Sequence, residues 1–274
     1  MKVLLQSLSL FPMDLLLSTD NLLEMVKRAG FDGIEIINIS WRGLPRIAEI
    51  SSKCRNHGLI CHAHQLWGLK QNPELLVNKL FRATGLIPGD GSDTKKQFGN
   101  HGLDIPMVLY SDNWREALDN HLMWLQTCST HDCGELVMPY HAFKKTVLRY
   151  RIPLVFDTTH QLEYRNELLD ISRLPRDSAQ LLSQISEDWN DLGKLVQEMH
   201  LCDFDPALGP EKGRNLPLGS GVFPINEFVR LVKNTCWDGV VVPEVRPNVA
   251  SNLNKQKCEL NLARINSQVR RYFE

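Results

Sequence analysis

At 274 residues, with 43% apolar and 23% charged side chains, the chain is long enough to bury a sizeable core, as one large domain or two small ones. Thirty-one basic residues against thirty-two acidic ones leave a formal charge of −1, which offers no bulk attraction to nucleic acid or to an anionic membrane. No run of eighteen uninterrupted apolar residues occurs, so no helical membrane span is expected.

The N-terminal stretch "MKVLLQSLSLFPMDLLLSTD" is interrupted by Pro12 and Asp14 and reads as a first strand and loop, not as a signal peptide. Short apolar runs then recur along the chain. They are "KVLLQSL" (2–8), "GIEIIN" (33–38), "LICHA" (59–63), "IPMVLY" (105–110), "ELVMPY" (135–140), "PLVF" (153–156), "QEMHLC" (197–202) and "GVVVPEV" (239–245). Amphipathic stretches separate them. "TDNLLEMVKRAG" predicts a helix capped by Thr19 or Asp20 and stopped at Gly30. "DNWREALDNHLMWLQTC", "DSAQLLSQISEDWNDLGKLV" and "PINEFVRLVKN" show the same spacing, and a closing helix is expected over 253–273.

Strands of continuous apolar character alternating with helices signal a parallel sheet covered on its outer face. Eight of them predict an α/β fold, a (β/α)8 TIM barrel, as one domain over 1–274. The open doubly wound sheet is the other candidate, but "SLSLFPMD" lacks its Gly-rich first turn. Only about nine helical residues (142–150) separate the expected fifth and sixth strands, so the strand 4–5 region is expected to be shortened or irregular. The Gly- and Lys-bearing segment 85–104 reads as an exposed excursion. Cysteines 54, 61, 128, 133, 202, 236 and 258 form an odd set without CxxC spacing. They read as reduced, mostly buried thiols of a cytoplasmic protein.

In a parallel barrel the C-terminal ends of the strands converge on one face. The polar residues closing the apolar runs are His62 and His64, Tyr140 and His141, Asp157 and His160, His200 and Asp203, and Glu244 and Arg246. A single histidine at a strand end is commonly structural. Asp157 after "PLVF" and Glu244 after "GVVVP" are harder to place in a core, because a buried unpaired carboxylate is costly. Imidazoles grouped with carboxylates hold divalent metals or divide acid and base roles. Gly219–Ser220–Gly221, entering a helix, offers free N–H groups to an anion such as phosphate, or else forms a tight βα connection.

The pieces "AGFDGIEI" (29–36), "ICHAH" (60–64), "VFDTTH" (155–160), "MHLCD" (199–203), "NLPLGSGVFPINEF" (215–228) and "WDGVVVPEV" (237–245), in that order, resemble the xylose isomerase-like TIM-barrel superfamily. That superfamily includes sugar and sugar-phosphate isomerases and epimerases and is related to endonuclease IV. The resemblance implies a divalent metal (Mn, Mg or Zn) on Asp157, His200 and Glu244, with Glu244 and His160 catalytic. His62, His64, His141, Asp203 and Arg246 would then contact a small carbohydrate-like substrate. It implies metal-dependent isomerisation or epimerisation through an enediolate. The family's epimerases take a further glutamate from the end of strand 5, and "MPYHAF" supplies none, with His141 as a substitute ligand. An alternative threading makes "ELVMPY" strand 4 and deletes strand 5. A lyase or dehydratase of the same barrel type, or a degenerate barrel that binds a sugar or partner, are the other readings. Nucleic-acid and membrane partners are not expected, and homo-oligomerisation is left open.

Overall fold

Eight short strands pair in parallel and close on themselves. They are β1 (Lys2–Gln6), β2 (Gly33–Ile37), β3 (Ile60–His64), β4 (Met107–Leu109), β5 (Met123–Gln126), β6 (Leu154–Asp157), β7 (Val196–Leu201) and β8 (Val240–Pro243), in the closed order 1-8-7-6-5-4-3-2. The computed structural model describes residues 1–10, 13–37, 43–64, 106–109, 115, 118, 122–127, 131–132, 135–136, 138–168 and 171–274. The excursion expected over 85–104 lies outside them, and so does Trp67.

Successive side chains of a strand point to opposite faces, and here the two faces differ in kind. Val3, Leu5, Ile34, Ile36, Leu154, Phe156, Met199, Leu201 and Val241 join the apolar layer between strands and helices. Over β6 and β7 this layer is aromatic: Phe156 and Trp189 meet edge-on at 5.3 Å, and Trp189 meets Phe228 at 5.7 Å. The covering helices are α1 (Thr19–Arg28), α2 (Gly43–His57), α3 (Tyr140–Tyr150), α4 (Thr158–Arg165), α5 (Ser178–Leu192), α6 (Ile225–Asn234) and α7 (Lys255–Phe273). Helix α1 ends before Gly30, whose φ of 86° suits a residue without Cβ. Its cap is Ser18, one residue earlier than the expected Thr19 or Asp20, with Oγ accepting from Asn21 N at 3.4 Å.

The fifth strand is where the structure corrects the sequence. "ELVMPY" is not a barrel strand: Glu135–Leu136 pairs antiparallel with His131–Asp132, and Tyr140 opens α3 after Pro139. The true fifth strand is Met123–Gln126, taken from a stretch whose leucine spacing reads as helical, and it pairs with β4 and β6. Met, Leu and Gln carry weak strand preference, so pairing with the two neighbours decides the conformation. Strand 5 is therefore present, and it ends in Gln126.

Candidate functional site

Asp157 and His160 sit three residues apart because they open a helix. Asp157 closes β6 and caps α4, its Oδ1 accepting from Thr159 N at 2.9 Å and His160 N at 2.8 Å. One oxygen is thereby committed to the helix, and Oδ2 turns to the barrel interior. There Gln126 Nε2 donates to it at 3.2 Å, and His200 Nδ1 lies 3.8 Å away.

His200, on β7, stands at the centre of the interior. Its Nε2 donates to Glu35 Oε2 and Glu198 Oε1, both at 3.0 Å, and its Nδ1 faces Glu244 Oε1 at 3.0 Å. The carboxylates behind Nε2 fix the ring so that Nδ1 points at Asp157 and Glu244. Glu244 follows β8, with Gln6 Nε2 donating to Oε1 and Asn215 Nδ2 3.5 Å from Oε2. Cys202 Sγ lies 3.6 Å from Glu244 Oε2 and 3.8 Å from each oxygen of Asp157. All five groups, Gln126, Asp157, His200, Cys202 and Glu244, are buried.

Burial dominates the electrostatics. It pushes the carboxyls of Asp157 and Glu35 above their ordinary range. It works the same way on Glu244, but the hydrogen bond and charge of His200 outweigh it and hold that carboxyl down at about 2. Burial alone would lower the His200 imidazolium, yet Glu35, Glu198 and Glu244 hold it well above the usual histidine range. Burial, then the charges of Asp157 and Glu244, push the Cys202 thiol well up.

The donors suit a divalent cation. Asp157, His200 and Glu244 each offer a ligand atom within 4.8 Å of the others, and the mixture of carboxylate and imidazole is a normal donor set. Beside them Gln126 Oε1 is a buried polar atom without a hydrogen-bond partner among the described residues. Glu35, His64 and His200 form a second such group, but Nε2 of His200 is already donating there.

The other expected site residues scatter. His64 stacks on the ring of His200 at 5.4 Å between centroids. His62 lies inside the barrel, where its Nδ1 closes tightly on Glu198 Oε2 and its ring meets Trp124 edge-on. His160 is half-buried at the mouth, its Nδ1 2.9 Å from Glu163 Oε2, a carboxylate gripped by Arg214 through both guanidinium nitrogens. Burial works to lower the His160 imidazolium, but the charges of Asp157 and Glu163 raise it. His141 is exposed in the first turn of α3, outside the cluster, and Arg246 is exposed beside the loop, its backbone N donating to Asn215 O. Asp203 is buried and turned to the loop: it accepts from Phe204 N, Gly219 N, Gly221 N and Phe223 N. Of the two readings of Gly219–Ser220–Gly221 this favours the tight connection over the anion site, because the N–H groups of Gly219 and Gly221 already hold a carboxylate of the chain. A Cβ on Gly221 would fall 2.3 Å from Asp203 Oδ1, which is why glycine stands there.

Sequence reasoning missed Gln126, Glu35, Glu198 and Cys202. Period-two alternation in "EMHLC" places Glu198, His200 and Cys202 on one face, and that signal was available.

The sequence profile of the xylose isomerase-like TIM barrel matches residues 109–260, more than half the chain. No curated protein matches the sequence. Among solved structures, a xylose isomerase domain-containing protein from Salmonella typhimurium superposes with a TM-score of 0.56 at 13% identity, covering 97% of this chain and 96% of that one. A D-allulose 3-epimerase from Methylomonas sp., in complex with D-allulose, gives 0.55 at 14%, over 99% and 98%. A 3-keto-D-glucoside 4-epimerase from E. coli gives 0.54 at 14%, over 96% and 99%. At these identities the likeness is one of fold.

Proposed function

The chain belongs to the xylose isomerase-like TIM-barrel family, and we propose that it is a metal-dependent isomerase of a small sugar or sugar phosphate, working through an enediolate at the C-terminal mouth of the barrel. The convergence of Asp157, His200 Nδ1 and Glu244 from three successive strand ends carries this reading. Fold relatives named as sugar epimerases support the substrate class.

Asp157, His200 and Glu244 would hold the cation, which when bound polarises a carbonyl and its neighbouring hydroxyl. Glu244 takes the proton from the carbon beside that carbonyl and returns it to the adjacent carbon. The hydrogen bond and charge of His200 keep it ionised in the metal-free chain. His160, held by Glu163 at the rim, faces the substrate as a donor to its oxygens. Gln126 is neutral and takes no proton. Inversion at one carbon needs a base on each face, whereas transfer between adjacent carbons needs one, so the residues favour isomerisation over epimerisation. The same single base favours, as a second reading, a lyase or dehydratase of the same barrel type.

Metal analysis of the purified protein after saturation with manganese, magnesium or zinc, alongside Glu244→Ala, is the primary test. One bound ion per chain, lost in the variant, is expected. No bound ion in the wild type sinks the reading. Incubating sugars and keto-acids in deuterated water separates the chemistries: isomerisation returns an isomer labelled beside the carbonyl, and dehydration releases a keto product.

A further inference from the structure

We propose that Cys202 Sγ and Gln126 Oε1 complete the cation site and make it selective for a thiophilic ion, zinc or its analogue cobalt(II), over magnesium or manganese. The inference rests on the cation site proposed above and concerns its selectivity.

Cys202 is two residues beyond His200, so strand alternation brings its sulfur to the same interior face. It is 1% exposed, and its Sγ stands 3.6 Å from Glu244 Oε2 and 3.8 Å from both oxygens of Asp157. A tetrahedral ion bonded at ~2.3 Å to sulfur and ~2.0–2.2 Å to oxygen keeps such donors roughly 3.5 Å apart. Cys202 Sγ therefore lies within a ligand's reach of two of the proposed donors, Asp157 and Glu244.

Gln126 points to the same place independently. Its amide lies 3.2 Å from Asp157 Oδ2 and 3.3 Å from His200 Nδ1, while Oε1, in a residue 2% exposed, has no partner among the described residues. As placed, Gln126 Nε2 turns its N–H groups toward the position a cation would take beside Asp157 Oδ2 and His200 Nδ1. A half-turn of the amide delivers Oε1 there instead, as a neutral oxygen ligand. The donors on offer are then one thiolate, two carboxylates, one imidazole and one amide oxygen, and the neutral amide oxygen is the one a substrate oxygen displaces. The thiol proton leaves to solvent as sulfur binds. Thiolate selects zinc and its congeners, whereas magnesium and manganese prefer oxygen ligands.

The test uses the full chain, stripped with chelator and reloaded with cobalt(II), zinc, magnesium or manganese, each alone. Wild type is expected to show a sulfur-to-cobalt charge-transfer band in the near ultraviolet that Cys202→Ser lacks. Cys202→Ser should lose about tenfold or more in zinc affinity while its magnesium and manganese affinities barely change. Cys202→Ala, checked for a native melting transition, serves if the serine variant does not fold. Cobalt bound without that band, with zinc affinity intact in Cys202→Ser, overturns this proposal and leaves the proposed function standing. Failure of every divalent ion to bind overturns both.

Discussion

The two faces of the same eight strands carry opposite chemistry. The outer face presents Val3, Ile34, Phe156, Met199 and Val241 to the helices, while the inner face presents Glu35, His62, His64, Asp157, Glu198, His200 and Glu244. Burying ionised carboxylates costs several kcal/mol each even when they are paired, so the inner face does not account for the fold's stability. The outer layer does, and the interior is given over to a connected set of charges. A single-residue step along each strand thus separates the packed layer from the charged interior.

That separation predicts different outcomes for substitutions on the two faces. Glu244→Gln, on the inner face, should cut turnover by about 10²–10⁴-fold. Its melting temperature should fall as well, because the amide leaves the buried His200 imidazolium with one carboxylate fewer. A large loss of stability with turnover retained would break the comparison. Trp189→Ala, on the outer side, should lower stability alone. It removes a fully packed indole between Phe156, Phe228 and Trp237 and should cost about 3–5 kcal/mol in chemical denaturation, with turnover per folded molecule unchanged.

Asp203→Asn should cost about 1–3 kcal/mol, because four backbone N–H groups lose their charged acceptor. Faster proteolysis within 213–224 would show that the loss is local to the loop. The smallest expected effect is one of pH, since the interior charges offset one another. His200 titrates in the folded chain above its unfolded value near 6.5, so its stabilisation is complete below that pH and fades as pH rises through the folded value. The raised carboxyls of Asp157 and Glu35 have the same sign, while Glu244, held down at about 2, loses stabilisation as pH falls below its unfolded 4.5. Melting of the chelated protein should therefore decline on the alkaline side of pH 6.5, and less so in His200→Gln. A melting temperature that climbs through that range would contradict the assignment of His200 as an imidazolium.

Part of the candidate site was legible along the chain because Asp157, His200 and Glu244 stand at or near the ends of apolar runs. Asp157 after "PLVF" and Glu244 after "GVVVP" are conspicuous carboxylates where a core residue is expected, and three of the barrel's late strands follow one another at regular spacing. Gln126 was not legible. A four-residue strand of Met, Trp, Leu and Gln has no local signal that distinguishes it from a turn of helix, and the more strand-like "ELVMPY" lies a few residues on. Asp203 misled in another way. Its spacing from His200 suits a site residue, and only the return of the loop at Gly219 and Gly221 turns its carboxylate elsewhere.

The alternation of strands and helices and the residue types available at the strand ends were fixed along the chain, and they made a closed barrel the expectation. Those follow from periodicity and from the cost of burying charge, both of which are local. Tertiary structure alone decided which segment forms the fifth strand, that Gln126 stands beside Asp157 and His200, and that the Cys202 thiol falls between two carboxylates. These depend on registers between strands far apart in the chain, where a shift of one residue exchanges the inner face for the outer.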